Sequence, residues 1–273
     1  MALSEISPFS YNTYAGRTKG FASWMADFVQ SNTIHGRTGW VGQFSSYEWP
    51  PHSSNTWKVG VLQRAKFYRG LVPSLNNNNR HMMKAVNQIR KWGIPNSKPY
   101  QLRRAADIRK ALNVLQSELV NSPWNQKDLG NFLHTPGTIA SMSKVYEMFD
   151  PHKWTIYDSR VANALACLVR KFWTKNNNKE VDADILCFPV PPRRKVGWQP
   201  CEGFHGVTTR RQDCLAFVYA SWLLRQVAEI LRNNPKYGVP PTMGQPSKCS
   251  PLDANWQVYH LEMALWMLGD KKF

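Results

Sequence analysis

Apolar residues recur at three- and four-residue intervals along most of this chain, and the breaks in that rhythm mark out its elements. Phe21, Trp24, Met25, Phe28 and Val29 share one side of a helix near the N-terminus. Residues 33–60 lose the period among Gly36, Gly39, Gly42, Pro50, Pro51 and several aromatics, and read as loop. Helical periods return over roughly 61–70, 81–92 and 100–120, the last setting Leu102, Ala105, Ala106, Ile108, Leu112 and Leu115 mainly to one side. The asparagine runs at 76–79 and 176–178 read as polar turns. A short helix from about 126 leads into Thr135-Pro136-Gly137-Thr138, and a helix follows to about Phe149, where Asp150-Pro151 stops it. A longer helix from Ser159 to about Trp173 packs through Val161, Leu165, Leu168, Val169 and Phe172. Residues 174–211, with Pro189, Pro191, Pro192 and Pro200, read as an extended surface insertion. Helices at about 212–232 and 252–268 complete the chain. There is no internal repeat and no strong strand signal, so the expected fold is mainly α.

Composition narrows the picture. Of 273 residues, 35 are Lys or Arg and 18 Asp or Glu, a net charge of +17. Twelve Trp, twelve Phe and ten Tyr within a 42% hydrophobic chain exclude a disordered polycation. The apolar run from Cys214 to Leu224 is about half of what a membrane span requires. The N-terminal residues lack the basic start and apolar stretch of a secretory signal. Five cysteines, an odd number with no C-x-x-C spacing, fit free thiols in a reducing cytoplasm. The same spacing speaks against a thiolate zinc site or a four-cysteine cluster, and His134, His152, His205 and His260 show no metal-like spacing. The expectation is a cytoplasmic monomer, without membrane, metal or cofactor, whose partner is a polyanion.

The charge is uneven. From Gly60 to Lys110 there are twelve Lys and Arg and one acid, Asp107, so this stretch carries eleven of the seventeen net charges. Arg193-Arg194-Lys195 and Arg210-Arg211 form further clusters. Each run alone reads as a solvated face, but self-repulsion of this total favours a phosphate backbone as partner.

Residues 131–173 carry a pattern of their own. Pro136-Gly137 opens a helix, and 22 residues after Pro136 an apolar pair, Ile156-Tyr157, leads into Asp158 at the head of Ser159-Arg160-Val161. This segment resembles the helix–hairpin–helix DNA glycosylase superfamily, in particular its bacterial branch with an 8-oxoguanine-glycosylase-like fold. Beyond these roughly forty residues the likeness is only in helical character. The resemblance implies two helical lobes with a DNA-binding cleft between them. Residues 60–150 would form one lobe, ending in the hairpin, and residues 1–59 with 151–273 the other. It also implies contacts to the DNA backbone from Pro136, Gly137, Thr138, Ser141 and Arg160, and a catalytic role for Asp158. Two departures matter. Ile139 stands where the family hairpin has its second glycine. Ala140 or Ser141, depending on the direction of counting, stands where bifunctional members carry a nucleophilic lysine. Lys144, one helical turn further on, is then a candidate for catalysis or, better, for a phosphate contact.

The resemblance therefore implies a monofunctional glycosylase that flips a damaged or modified base from duplex DNA and hydrolyses its N-glycosidic bond with water. Its role would be repair, or defence against phage DNA carrying hypermodified bases. The chemistry asks for a carboxylate, because losing a base builds positive charge on the sugar and an attacking water needs a base. An Asp at a helix start sits where N–H groups and the dipole favour its anion, and equally serves as an ordinary N-cap. Trp40, Phe44, Tyr47, Trp49 and Trp57 crowd the N-terminal loop; they either pack between lobes or help stack a flipped base. Trp40, Trp57 and Tyr157 are the pocket candidates. Trp256, Leu261 and Leu265 read as core. The rival readings are a non-catalytic DNA-binding protein that keeps the hairpin for phosphate contacts, and an RNA-binding protein.

Overall fold

A computed structural model describes residues 10–49, 57–75, 78–116, 133, 137–190, 209–241 and 255–269. In chain order the elements are α1 (Tyr11–Ser31), β1 (Thr33–Ile34), β2 (Arg37–Thr38), α2 (Gly39–Ser45), α3 (Trp57–Ser74), α4 (Asn79–Gly93), α5 (Ala105–Gln116), α6 (Ile139–Phe149), α7 (Ser159–Lys175), α8 (Arg210–Arg232) and α9 (Val258–Leu268). Single 3₁₀ turns stand at Leu102–Arg104 and Pro235–Tyr237. The described protein is mainly α, as the periodicity implies.

Local chemistry sets the helix starts. Ser10 accepts from the Thr13 N–H to cap α1, and Asn78 accepts from the His81 N–H to cap α4. Thr209 and Gln212 form a reciprocal capping box at α8. The hairpin of β1 and β2 turns through His35 and Gly36, with φ of 53° and 76°. Two consecutive positive φ values are the signature of the tight turn whose twist suits antiparallel strands. It pairs Thr33 with Thr38 and Ile34 with Arg37.

Helix α1 lies along α8, α9 packs on α2, α7 and α8, and α1 also meets α2 and α7. Helices α3, α4, α5 and α6 pack on one another, with α6 also touching α8. One apolar core runs through both sets, from Tyr14 and Phe21 through Met82, Val86 and Ile108 to Tyr146, Leu165, Phe217 and Leu265. Within α8, Gln212–Arg232 is long and apolar enough to cross a bilayer, and 83% of its most apolar window is buried inside the protein. Its apolar character is thus used by the neighbouring helices.

Three expectations change. Residues 33–45 are not loop: they hold the hairpin and α2, and α3 already begins at Trp57. Short strands carry almost no periodic signal, and α2 has only seven residues, too few to establish one. Leu102 does not face the core. It sits in the 3₁₀ turn and is 52% exposed, because α5 starts three residues later. The segment after α7 is no mere surface insertion. It turns through Asn177, Asn178 and Asp182, all with positive φ, and then buries Ile185, Leu186, Cys187, Phe188 and Val190. Arg17 of α1 clamps that turn with hydrogen bonds to Asp182 and Asp184. Residues 191–208, with the Arg193-Arg194-Lys195 cluster, lie outside the described residues, as do Pro136 and the start of the helix expected from 126.

Candidate active site

The connector from α6 to α7 is pinned before it reaches its acid. The Thr155 N–H donates to Ser221 Oγ (3.3 Å), the Tyr157 N–H to Ser143 Oγ (3.0 Å), and the Tyr157 hydroxyl to the Pro189 carbonyl (3.0 Å). Asp158 follows in an extended conformation as the N-cap of α7. Its Oδ1 accepts from the N–H groups of Arg160 (3.0 Å) and Val161 (3.3 Å). Its Oδ2 faces Lys144, with the Nζ at 3.8 Å. The two oxygens therefore have separate duties: one holds the helix start, while the other faces a cation.

Lys144 is not a surface lysine. Its side chain is 7% exposed, and its Nζ also donates to the Ala140 carbonyl at 2.9 Å. The aliphatic stem lies across Gly93, the last residue of α4, where a Cβ would come within 2.1 Å of Lys144 Cδ. Lys144, the candidate for catalysis or a phosphate contact, is thus paired with Asp158: α6 turns it inward and the missing side chain at Gly93 leaves room for it.

Asp158 and Lys144 stand in a recess lined also by Tyr47, Trp49, Trp92, Ile156, Glu262 and Trp266. About 220 Å³ of space free of atoms lies within it, counting its open mouth. The clear space inside is that of about one water molecule. The aromatic walls are edge-on: Trp49 meets Trp266 at 5.3 Å and 87°, and its indole N–H donates to the Trp92 carbonyl (3.3 Å). The Arg160 guanidinium stacks on the Trp266 ring at 3.7 Å.

Behind the recess lies a buried ionic triad. Arg64 of α3 donates from Nε to Glu147 Oε1 of α6 (2.9 Å) and from an NH₂ group to Glu262 Oε2 of α9 (2.5 Å). All three side chains are at most 1% exposed. Burial, the largest influence, pushes both carboxyls up, Glu262 well above the ordinary range. Glu147 Oε2 and Glu262 Oε1 have no hydrogen-bond partner among the described residues. The triad joins α3, α6 and α9 where the two sets of helices meet.

The other expected site residues divide. Gly137 and Thr138 stand at the start of α6, Thr138 exposed and acting as its N-cap. Tyr100 occupies the space a side chain at Gly137 would need, its hydroxyl 1.8 Å from the position of a Cβ. Ser141 is buried and accepts from Arg90 Nε (3.1 Å). Arg160 is buried against Trp266. Trp40 gives its N–H to the Ala26 carbonyl, Trp57 packs on Phe44, and Tyr157 is buried under Pro189. None of these three is among the residues that line the recess; Tyr47 and Trp49, from the same aromatic loop, are. Trp92, Glu262 and Trp266 carried no local signal. Within the basic stretch, Arg64 and Arg90 are interior, while Arg80, Lys84 and Lys91 share one exposed side of α4. Among the described residues no group of His, Cys, Asp and Glu is placed to hold a metal ion, and Cys167, Cys187 and Cys214 are buried.

Comparison with protein-family models, curated proteins and solved structures finds no match.

The site depends on one close backbone approach. A Cβ on Gly269, just past α9, would lie 1.7 Å from the Arg160 carbonyl in the first turn of α7. Gly269→Ala must therefore push α9 away from the helix that Asp158 caps. The expected loss is about 3 kcal/mol in urea unfolding, at the upper end for overpacking. An unchanged midpoint would show that the two helices do not meet there.

Proposed function

We propose that the chain is a monofunctional DNA glycosylase with Asp158 as its catalytic carboxylate. The observation that carries this reading is the placement of Asp158. It is held rigidly by two backbone N–H groups, with its other oxygen beside Lys144 in an aromatic-walled recess. Such a group stabilises positive charge on the sugar and takes a proton from an attacking water, for which the recess has room. The tryptophans would flank the extruded base. Admitting it requires the Trp49 indole to swing aside, since the clear space is water-sized. Two lobes, α3 to α6 on one side and α1, α2 and α7 to α9 on the other, would clasp the duplex. The exposed Arg80, Lys84 and Lys91, with Gly137 and Thr138 of the hairpin, would meet phosphates. Bulky phage-modified bases and damaged bases are the candidate substrates.

The test is a panel of duplexes carrying oxidised, alkylated or hypermodified bases, scored for alkali-sensitive sites and for released free base. Cleavage of at least one duplex class, without a covalent adduct on borohydride treatment, is the expected result. A borohydride-trapped adduct that disappears in Lys144→Gln would replace water by the Lys144 amine as nucleophile. Tight duplex binding with no product from any member would leave a non-catalytic DNA-binding protein.

A further inference from the structure

The recess contains one more group than water-driven hydrolysis at Asp158 requires. Glu262 lines it, is 1% exposed, and has only its Oε2 engaged, by Arg64. Three positive charges stand around it, on Arg64 of α3, Lys144 of α6 and Arg160 of α7 over the Trp266 ring, and three potential negative ones, on Glu147 of α6, Asp158 at the head of α7 and Glu262 of α9. Tyr47, also packed here, adds none, since burial pushes its hydroxyl up. His260 on the same helix as Glu262 adds none either: burial, and then the nearby Arg64, push its imidazole well below the usual value. Burial raises both Glu147 and Glu262, which share Arg64, so this pair of buried acids favours keeping one proton.

The surroundings decide which acid keeps it. After burial and Arg64, Glu147 feels the favourable charge of Lys144, whereas Glu262 feels the repulsion of Glu147 and of Asp158 each more strongly than the favourable charge of Lys144, and it alone is raised well above the ordinary range. The proton therefore belongs on Glu262. Within Glu262 it belongs on Oε1, because Oε2 is already accepting from Arg64. The outcome is a buried O–H donor on a residue that lines the recess, without an acceptor among the described residues, a costly arrangement unless a ligand supplies one.

We propose that Glu262 is the general acid of the reaction, donating its Oε1 proton to a ring nitrogen or carbonyl oxygen of the departing base. This role rests on reading the recess as a glycosylase site. As the bond between C1′ and the base nitrogen breaks, its electron pair stays with the base, and the base takes the proton from Glu262. Water adds to C1′ and gives its proton to Asp158. Glu262 is left as a carboxylate beside Arg64 and takes a proton from solvent when the base leaves. Protonation of the leaving base contributes most for bases that leave badly as anions.

The experiment compares Glu262→Gln with Glu147→Gln in single-turnover cleavage across pH and across bases of differing leaving ability. The glutamine at 262 keeps size and an acceptor for Arg64 but cannot give up a proton. It is expected to slow cleavage about 100-fold, to abolish the fall in rate at high pH, and to steepen the dependence on leaving ability. Glu147→Gln disturbs the same triad outside the recess and is expected to keep the high-pH limb and the leaving-ability dependence of the native protein. An infrared carboxylic-acid band at neutral pH, removed by Glu262→Gln, is expected whether or not any duplex is cleaved. The role is overturned if that band is missing, or if both glutamine variants behave alike. Absence of product from every duplex with native protein would instead sink the reaction itself, and this role with it.

Discussion

Replacing Asp158 by asparagine is expected to lower single-turnover base release about 1,000-fold while leaving duplex affinity within about twofold. The geometry makes this a clean substitution. Asparagine is as good an N-cap as aspartate, so its side-chain oxygen keeps the bonds to the Arg160 and Val161 N–H groups and α7 begins as before. What is lost is the carboxylate oxygen facing Lys144. An amide there neither takes a proton from water nor balances charge on the sugar. Urea midpoints of the two proteins should agree within about 0.5 kcal/mol. Undiminished base release would remove Asp158 from the chemistry and leave it as a cap.

Arg64→Met is expected to cost about 4 kcal/mol in urea unfolding, the largest stability effect of any single substitution considered. The methionine fills much of the arginine's volume, so the loss comes from charge: Glu147 and Glu262 remain buried with no cation between them. The sign of the pH dependence follows. Both folded-state carboxyls are raised above their unfolded values, so the folded protein binds protons the unfolded chain has lost. Stability then falls as pH rises from the unfolded carboxylate range toward the folded values, more steeply in the variant, where Arg64 no longer opposes the shift. A triple replacement by Met at 64 and Leu at 147 and 262 should recover most of the loss, because packed apolar groups often replace a buried ionic triad without penalty. If it does, the three charges are not there for stability, which supports a task for Glu262 in the recess. Equal loss in the single and triple variants would place the cost in packing.

The parts of the fold legible in the sequence are those whose signal is local. Helix α7 could be bounded within two residues because an acid N-cap precedes a sustained apolar period, and α6 because Pro151 follows its end. The same locality exposed Asp158 as a candidate. It also misled. Arg64 reads as one more charge in a basic stretch, yet the period of α3 turns it inward to meet carboxylates 83 and 198 residues away. Ser141 and Arg160 lie beside motif positions in the sequence, but helix phase buries both.

By itself, then, the sequence determined that this is a helical, strongly basic protein and that one aspartate begins a helix at a motif-like spacing. Periodicity, capping and composition are summed over neighbouring residues, so one chain suffices to read them. Only the tertiary structure decided what surrounds that aspartate: Lys144 turned inward over Gly93, tryptophans from three separate segments, and a glutamic acid from the last helix. Those partners are chosen by how helices pack, and burial then changes their chemistry, which no count of charges along the chain contains.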